Sequence, residues 1–194
     1  MFREKMVTSA IPERVYVLCK IVEKGPISGS ELREKMEPAE LNANTSTVYF
    51  PDYRAAAEEL GLIITSDNMI SLAVDPSVIE SRQTMRKYVN GVLRKFSDGL
   101  FYQVTHAYYM LGADALKTEK NLSNLGPLMS ELTGQKVDAM DMRAWRFWVS
   151  YLGLGYLQEM FMIPNADVFL QDVIHLVNLS IGYRRIVGSL WMKI

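Results

Sequence analysis

Cysteine is almost absent: Cys19 is the one thiol in 194 residues. No intrachain disulfide can therefore form. Between Leu18 and Val22, Cys19 reads as a small buried hydrophobe rather than a reactive thiol. Secreted compact folds commonly carry disulfide pairs, so this usage favours a reducing, cytoplasmic setting. Long apolar runs are missing too. The longest stretch without a formal charge, Gly99–Ala113, contains Gln103, Thr105 and His106. It falls short of the roughly 18 apolar residues a membrane helix needs, so no membrane partner is expected. Residues 1–6 carry charge with no apolar run behind them, and no signal peptide is read. A positive excess is also lacking: the formal net charge is −1 and the pI about 6.2. Any contact with nucleic acid must then come from a local patch.

Chemistry-bearing motifs are scarce. The two histidines, His106 and His175, lie in apolar helical stretches without ligands at metal-binding spacing, and read as core residues. No glycine-rich phosphate loop, nucleophile elbow or zinc signature occurs. Glu58-Glu59 reads as a solvated helix face, and Asp138 with Asp141 as a helix start, rather than as acid–base pairs. The expectation is a binding protein: no enzyme, no cofactor, no metal.

What is present is a folded chain, 49% hydrophobic and 22% charged. Pro12 opens a helix whose apolar stripe is Val15, Leu18, Cys19 and Val22. Gly25-Pro26 ends it. Ser28 and Glu31 have capping-box spacing ahead of a short helix that buries Leu32 and Met36. A polar loop leads to Thr45-Ser46-Thr47. Pro51 opens a third helix with Tyr53, Ala56, Ala57 and Leu60 on its apolar face, and Gly61 stops it. Ile63-Ile64-Thr65 and Met69-Ile70-Ser71-Leu72, joined by Ser66-Asp67-Asn68, read as a hairpin.

Three helices and a hairpin follow the winged-helix order, and Ala55-Ala56-Ala57-Glu58-Glu59-Leu60-Gly61-Leu62-Ile63 resembles the end of that family's third helix running into its wing. The resemblance spans residues 11–72 and implies DNA binding. Tyr49-Phe50-Pro51 departs from the family pattern, because proline biases Phe50 away from helical geometry; that argues against this helix reading DNA.

Asp75-Pro76 starts a further helix, in which Val78, Met85, Val89, Val92 and Phe96 form a coiled-coil-like seam. Leu100–Leu116 is apolar on nearly all sides and reads as a central helix. Trp145-Arg146 through Leu152-Gly153-Leu154 repeats the pattern of Tyr53-Arg54 through Leu60-Gly61-Leu62, with Leu128 and Leu132 answering Leu32 and Met36. Tyr156-Leu157 and Met160–Ile163 read as a second hairpin, and Asn165 or Asp167 as the cap of another helix. The expected fold is mainly α with small β wings. It has a winged helix over 1–75, a linker helix over 76–97, a second winged helix over 98–166, and C-terminal helices over 167–194.

Charge is uneven. Residues 1–75 hold 8 basic and 12 acidic side chains, residues 76–122 hold 7 and 4. Arg86, Asn90 and Arg94 stand four apart, one helical face suited to phosphates. In the third helices, the first exposes Asp52, Arg54, Glu58 and Glu59, whereas the second offers Arg143 and Arg146. Expected contacts to double-stranded DNA are therefore Arg86, Arg94, Arg143 and Arg146, with Arg54 and Thr47 from the first unit. Phe147 and Tyr151 accompany the second set and suit a protein interface equally. The function expected is a DNA-binding regulator. The alternative is a protein-interaction subunit of a larger complex, by analogy with tandem winged-helix accessory subunits of chromosome-organising ATPases and helpers of DNA-modification or anti-phage systems. Near the C-terminus, Ile186, Leu190 and Ile194, with Trp191 beside them, make an apolar face expected to form a homodimer or subunit interface.

Overall fold

The computed structural model describes residues 1–40, 48–118, 121–159 and 161–174. Thr47, His175, Ile186, Leu190, Trp191 and Ile194 lie outside the described residues. The described residues are mainly helical, with one three-stranded antiparallel sheet and one two-stranded hairpin.

The first half runs α1 (Pro12–Val22), β1 (Ile27–Ser28), α2 (Gly29–Met36), α3 (Phe50–Glu59), β2 (Ile63–Ser66) and β3 (Met69–Leu72). The apolar stripe of α1 is buried as its spacing requires. Leu32, Tyr53, Ala57, Leu60 and Ile63 share that core. Ser28 caps α2 by accepting the Glu31 N–H at 3.2 Å, but the Glu31 carboxylate pairs with Lys35 instead of completing a box. Phe50 is the first helical residue of α3 despite Pro51 behind it, and its buried ring meets Tyr53 edge-on. Gly61 (φ 68°) ends α3, and Asp67 and Asn68, both left-handed, turn the tight hairpin. β3 lies between β1 and β2.

The second half runs α5 (Leu100–Met110), α6 (Gly126–Thr133), α7 (Ala139–Leu152), β4 (Gly155–Gln158), β5 (Phe161–Pro164) and α8 (Asp167–Ile174). The expected helix over 100–116 is shorter, because Gly112 turns left-handed and a 3-10 segment follows. Leu132 is exposed and Leu128 half-buried; the buried residues of this region are Leu125 and Met129. Asp138 and Asp141 form a full capping box on α7. Gly153 (φ 72°) ends α7 as Gly61 ends α3.

The correspondence is close. Leu62 donates its N–H to Ala57 at 3.0 Å, and Leu154 donates to Val149 at 3.0 Å. Ala73 closes onto the Leu62 carbonyl, and Asn165 onto that of Leu154. The hairpins start at 63 and 155 and end at 72 and 164, 92 residues apart in each case.

The linker expected as one helix is broken. A 3-10 turn over Pro76–Ile79 precedes α4 (Arg82–Val92), and a second over Leu93–Phe96 follows it. Ser81 and Thr84 cap each other at the start of α4, which fixes a new helix there. The seam residues Met85, Val89 and Phe96 are buried in the chain's own core and offer no outer face.

Residues 1–10 bind the two halves. Phe2, fully buried, contacts Phe96, Phe101 and Trp148. The Glu59 carboxylate accepts from the Met1 ammonium and from the Phe2 and Arg3 N–H groups. The Arg3 and Phe2 carbonyls in turn accept from Leu100 and Phe101, satisfying the first turn of α5. Asp141 holds the Met6 N–H, and Trp148 donates to Ala10. The core is continuous through both halves.

Candidate nucleic-acid interface

Of the positions expected at a DNA contact, Thr47 lies outside the described residues, and the five arginines do not form one surface. Arg86 turns inward. Its Nε and Nη2 donate to the two oxygens of Asp172 at 2.7 and 3.2 Å, and Asp172 is only 3% exposed. Pairing with this carboxylate raises the Arg86 pKa further. Asn90 donates to Asp172 at 2.9 Å as well, so the face expected from Arg86, Asn90 and Arg94 is instead a lock between α4 and α8. Arg94 falls in the 3-10 turn after α4 and is exposed.

In α3 the charges expected to be free are tied down. Arg54 donates to Glu58 at 3.2 Å and to Thr65 at 3.0 Å, and Thr65 also donates to Glu58. Ser9 donates to Asp52, and Glu59 holds the N-terminal segment. A shallow cleft of about 250 Å³ borders Arg54 at the start of α2, but Glu58 already balances its charge.

The face of α7 differs. Met140, Arg143 and Ser150 are exposed, Arg146 and Phe147 half-buried, and residues 142–152 include no acid. The helix is held from behind by Trp145, which donates to Thr105, and by Trp148. Arg143 returns its Nε–H to the Ala139 carbonyl at 3.1 Å, which fixes its stem along the helix. The Arg146 guanidinium stacks on Phe147, 4.8 Å from the ring centroid, and no carboxylate pairs with it among the described residues. Its Nε is buried and finds no acceptor there. Such a donor costs about 1–3 kcal/mol.

No family model matches the chain, and no curated protein or solved structure matches it. The site therefore stands on its own chemistry.

Beside the C-terminal end of α7 lies a cleft of about 390 Å³ lined by Arg82, Gln83, Arg86 and Tyr151. Tyr151 donates to the Arg82 carbonyl at 2.7 Å, and burial raises its phenol pKa, so it stays a neutral donor. Arg82 reaches Glu13 only at 3.8 Å. Sequence reasoning counted Arg82 among the basic residues of α4 that could contact phosphates, but missed Gln83 and Ser150. Gln83 carried no local signal, whereas Ser150 could be found by reading the chain at the 92-residue offset, where it answers Glu58.

Elsewhere, His106 is half-buried in a shallow cleft between α5 and α6, rather than in the core. Among the described residues no group of three or more His, Cys, Asp or Glu could hold a metal ion, and no helix is long and apolar enough to cross a membrane.

Proposed function

We propose that this is a non-enzymatic tandem winged-helix protein that associates with duplex DNA through α7, the third helix of its second unit. Two runs of three helices and a hairpin, each with a left-handed glycine between third helix and wing, support the winged-helix reading. The observation that carries the DNA reading is the outward face of α7, where Arg143 and Arg146 stand without an acid between Met142 and Leu152. Arginines so placed contact phosphates or guanine edges. Regulation of transcription is the activity such a face serves.

Fluorescence anisotropy with a labelled duplex from 50 to 200 mM salt tests this. The wild type should bind with steep salt dependence, and Arg143→Met with Arg146→Met should weaken binding by at least tenfold. Absence of binding at low salt would sink the reading.

A second reading, an adaptor within a larger assembly, draws on the first unit. Its α3 acids are engaged internally, and the cleft between α5 and α6 is flanked by exposed Met110 and Leu132. Homodimerisation or subunit contact belongs to this reading, and sedimentation of a strict monomer at high micromolar concentration would remove the homodimer.

A further inference from the structure

We propose that the residue four positions after the arginine of each third helix decides whether that arginine serves DNA, and that Ser150 thereby makes Arg146 a phosphate-binding residue. The proposal rests on the DNA reading above.

Arg54 and Arg146 occupy equivalent places, each seven residues before the left-handed glycine that ends its helix. In the first unit Arg54 is doubly held: Glu58, one turn along, takes its Nε–H, and Thr65 on the wing takes an Nη2–H. At the 92-residue offset these partners are replaced. Ser150 stands where Glu58 does, and Leu157 where Thr65 does. Neither can neutralise a guanidinium, and neither bonds to Arg146.

The consequences are physical. Arg54 contributes no net charge to its surface, because the i,i+4 carboxylate cancels it. Arg146 keeps its full positive charge on a helix face without acids. The Phe147 ring, 4.8 Å from the guanidinium carbon, limits its freedom, so less ordering is required when an oxygen arrives. A planar, uncompensated guanidinium suits the paired oxygens of a backbone phosphate. The first unit is then a scaffold whose equivalent arginine is switched off, and the second is the reader.

Ser150→Glu is the decisive variant, since it restores in the second unit the acid found in the first. Ser150 is exposed, so the folded state should tolerate the change; thermal melting checks this. Ser150→Gln controls for bulk, and Arg146→Met removes the charge directly. On a labelled duplex, Ser150→Glu and Arg146→Met should each weaken binding roughly tenfold and lower the magnitude of the salt slope by about 1, while Ser150→Gln binds like wild type. If the wild type binds and Ser150→Glu leaves affinity and slope unchanged, the proposal fails while the DNA reading stands. Equal losses in the Glu and Gln variants would mean bulk rather than charge, and would also overturn it. A loss confined to particular sequences, with an unchanged slope, would overturn the phosphate assignment. No wild-type binding would overturn both this proposal and the reading beneath it.

Discussion

The carbonyl oxygens of Leu60 and Leu152, equivalent positions at the ends of α3 and α7, are both bonded from α4: Tyr88 Oη donates to the first at 3.2 Å and Asn90 Nδ2 to the second at 3.1 Å. One helix thus closes the ends of both repeats. The bonds differ in setting. Tyr88 is half-buried, whereas Asn90 is 4% exposed and also serves Asp172. Tyr88→Phe should cost about 0.5–1.5 kcal/mol, the usual net value of one hydrogen bond. Asn90→Ala should cost more, about 2–3 kcal/mol, because it leaves a buried carbonyl and a carboxylate short of donors. Urea unfolding midpoints would show the order; equal small losses would contradict it.

Arg86 and Asp172 are 86 positions apart and form the most buried side-chain ion pair among the described residues. Removing one charge strands the other. Asp172→Ala should destabilise by about 3–5 kcal/mol, while Arg86→Met with Asp172→Leu should cost much less than the two single changes together. Strict additivity in that double-mutant cycle would show that the pair is not coupled.

Gly99 is fixed by the N-terminal segment rather than by its own turn. A Cβ there would lie 2.3 Å from the Phe2 carbonyl oxygen and 2.9 Å from Arg3 Cα, both backbone atoms. Gly99→Ala should therefore push residues 2–3 off the α5 terminus and out of Glu59's grasp. The expected loss is about 2 kcal/mol or more, beyond the range of ordinary surface changes. Amide exchange should become faster at Leu100 and Phe101, whose N–H groups those carbonyls accept. Unchanged protection at both would refute the account.

These contacts mark what local pattern could reveal. The α1 stripe, the Gly61 stop and the Asp67-Asn68 turn are set by neighbours in the chain, and periodicity exposes them. The repeat was legible for the same reason, since Leu-Gly-Leu carries its own backbone requirement. Phe2 and Met6 were not legible as core, because nothing local says that a charged N-terminus lies between two halves. The linker failed differently: the apolar spacing from Val78 to Phe96 suits one helix, but the Ser81–Thr84 caps start a new one. Arg86 looked like a surface cation because its carboxylate lies far along the chain. Arg143 and Arg146 were singled out as candidates from residue type and the absence of an acid between them, both of which a sequence displays.

Capping carboxylates should appear in the acid response. The Asp141 N–H holds the Asp138 pKa below its ordinary value, and the hydroxyl and N–H of Ser77 do the same for Asp75. A carboxylate whose pKa falls on folding contributes stability above its unfolded value, and that contribution is lost as pH drops through the folded value. Melting temperature should accordingly decline below about pH 4. Asp138→Asn keeps an N-cap acceptor but cannot titrate, so it should melt lower than wild type near neutrality, with the gap closing on acidification. A gap that is constant from neutral to acid pH would remove Asp138 from the explanation.

Cys19 provides a probe of the α1 core. It is fully buried, and desolvation raises its thiol pKa to about 12. At pH 8 only about one molecule in ten thousand would hold a thiolate there even if a reagent could reach it. Burial closes that route too, since Cys19 lies on the stripe of α1 that packs against α3 and the sheet. Reaction with an aromatic disulfide should therefore be very slow in native buffer and fast in concentrated urea. At intermediate urea its rate should follow the unfolded population measured by circular dichroism, because no smaller opening uncovers the sulfur. Rapid modification in native buffer, with the circular dichroism signal unchanged, would show that α1 can leave the core on its own, contrary to the packing described.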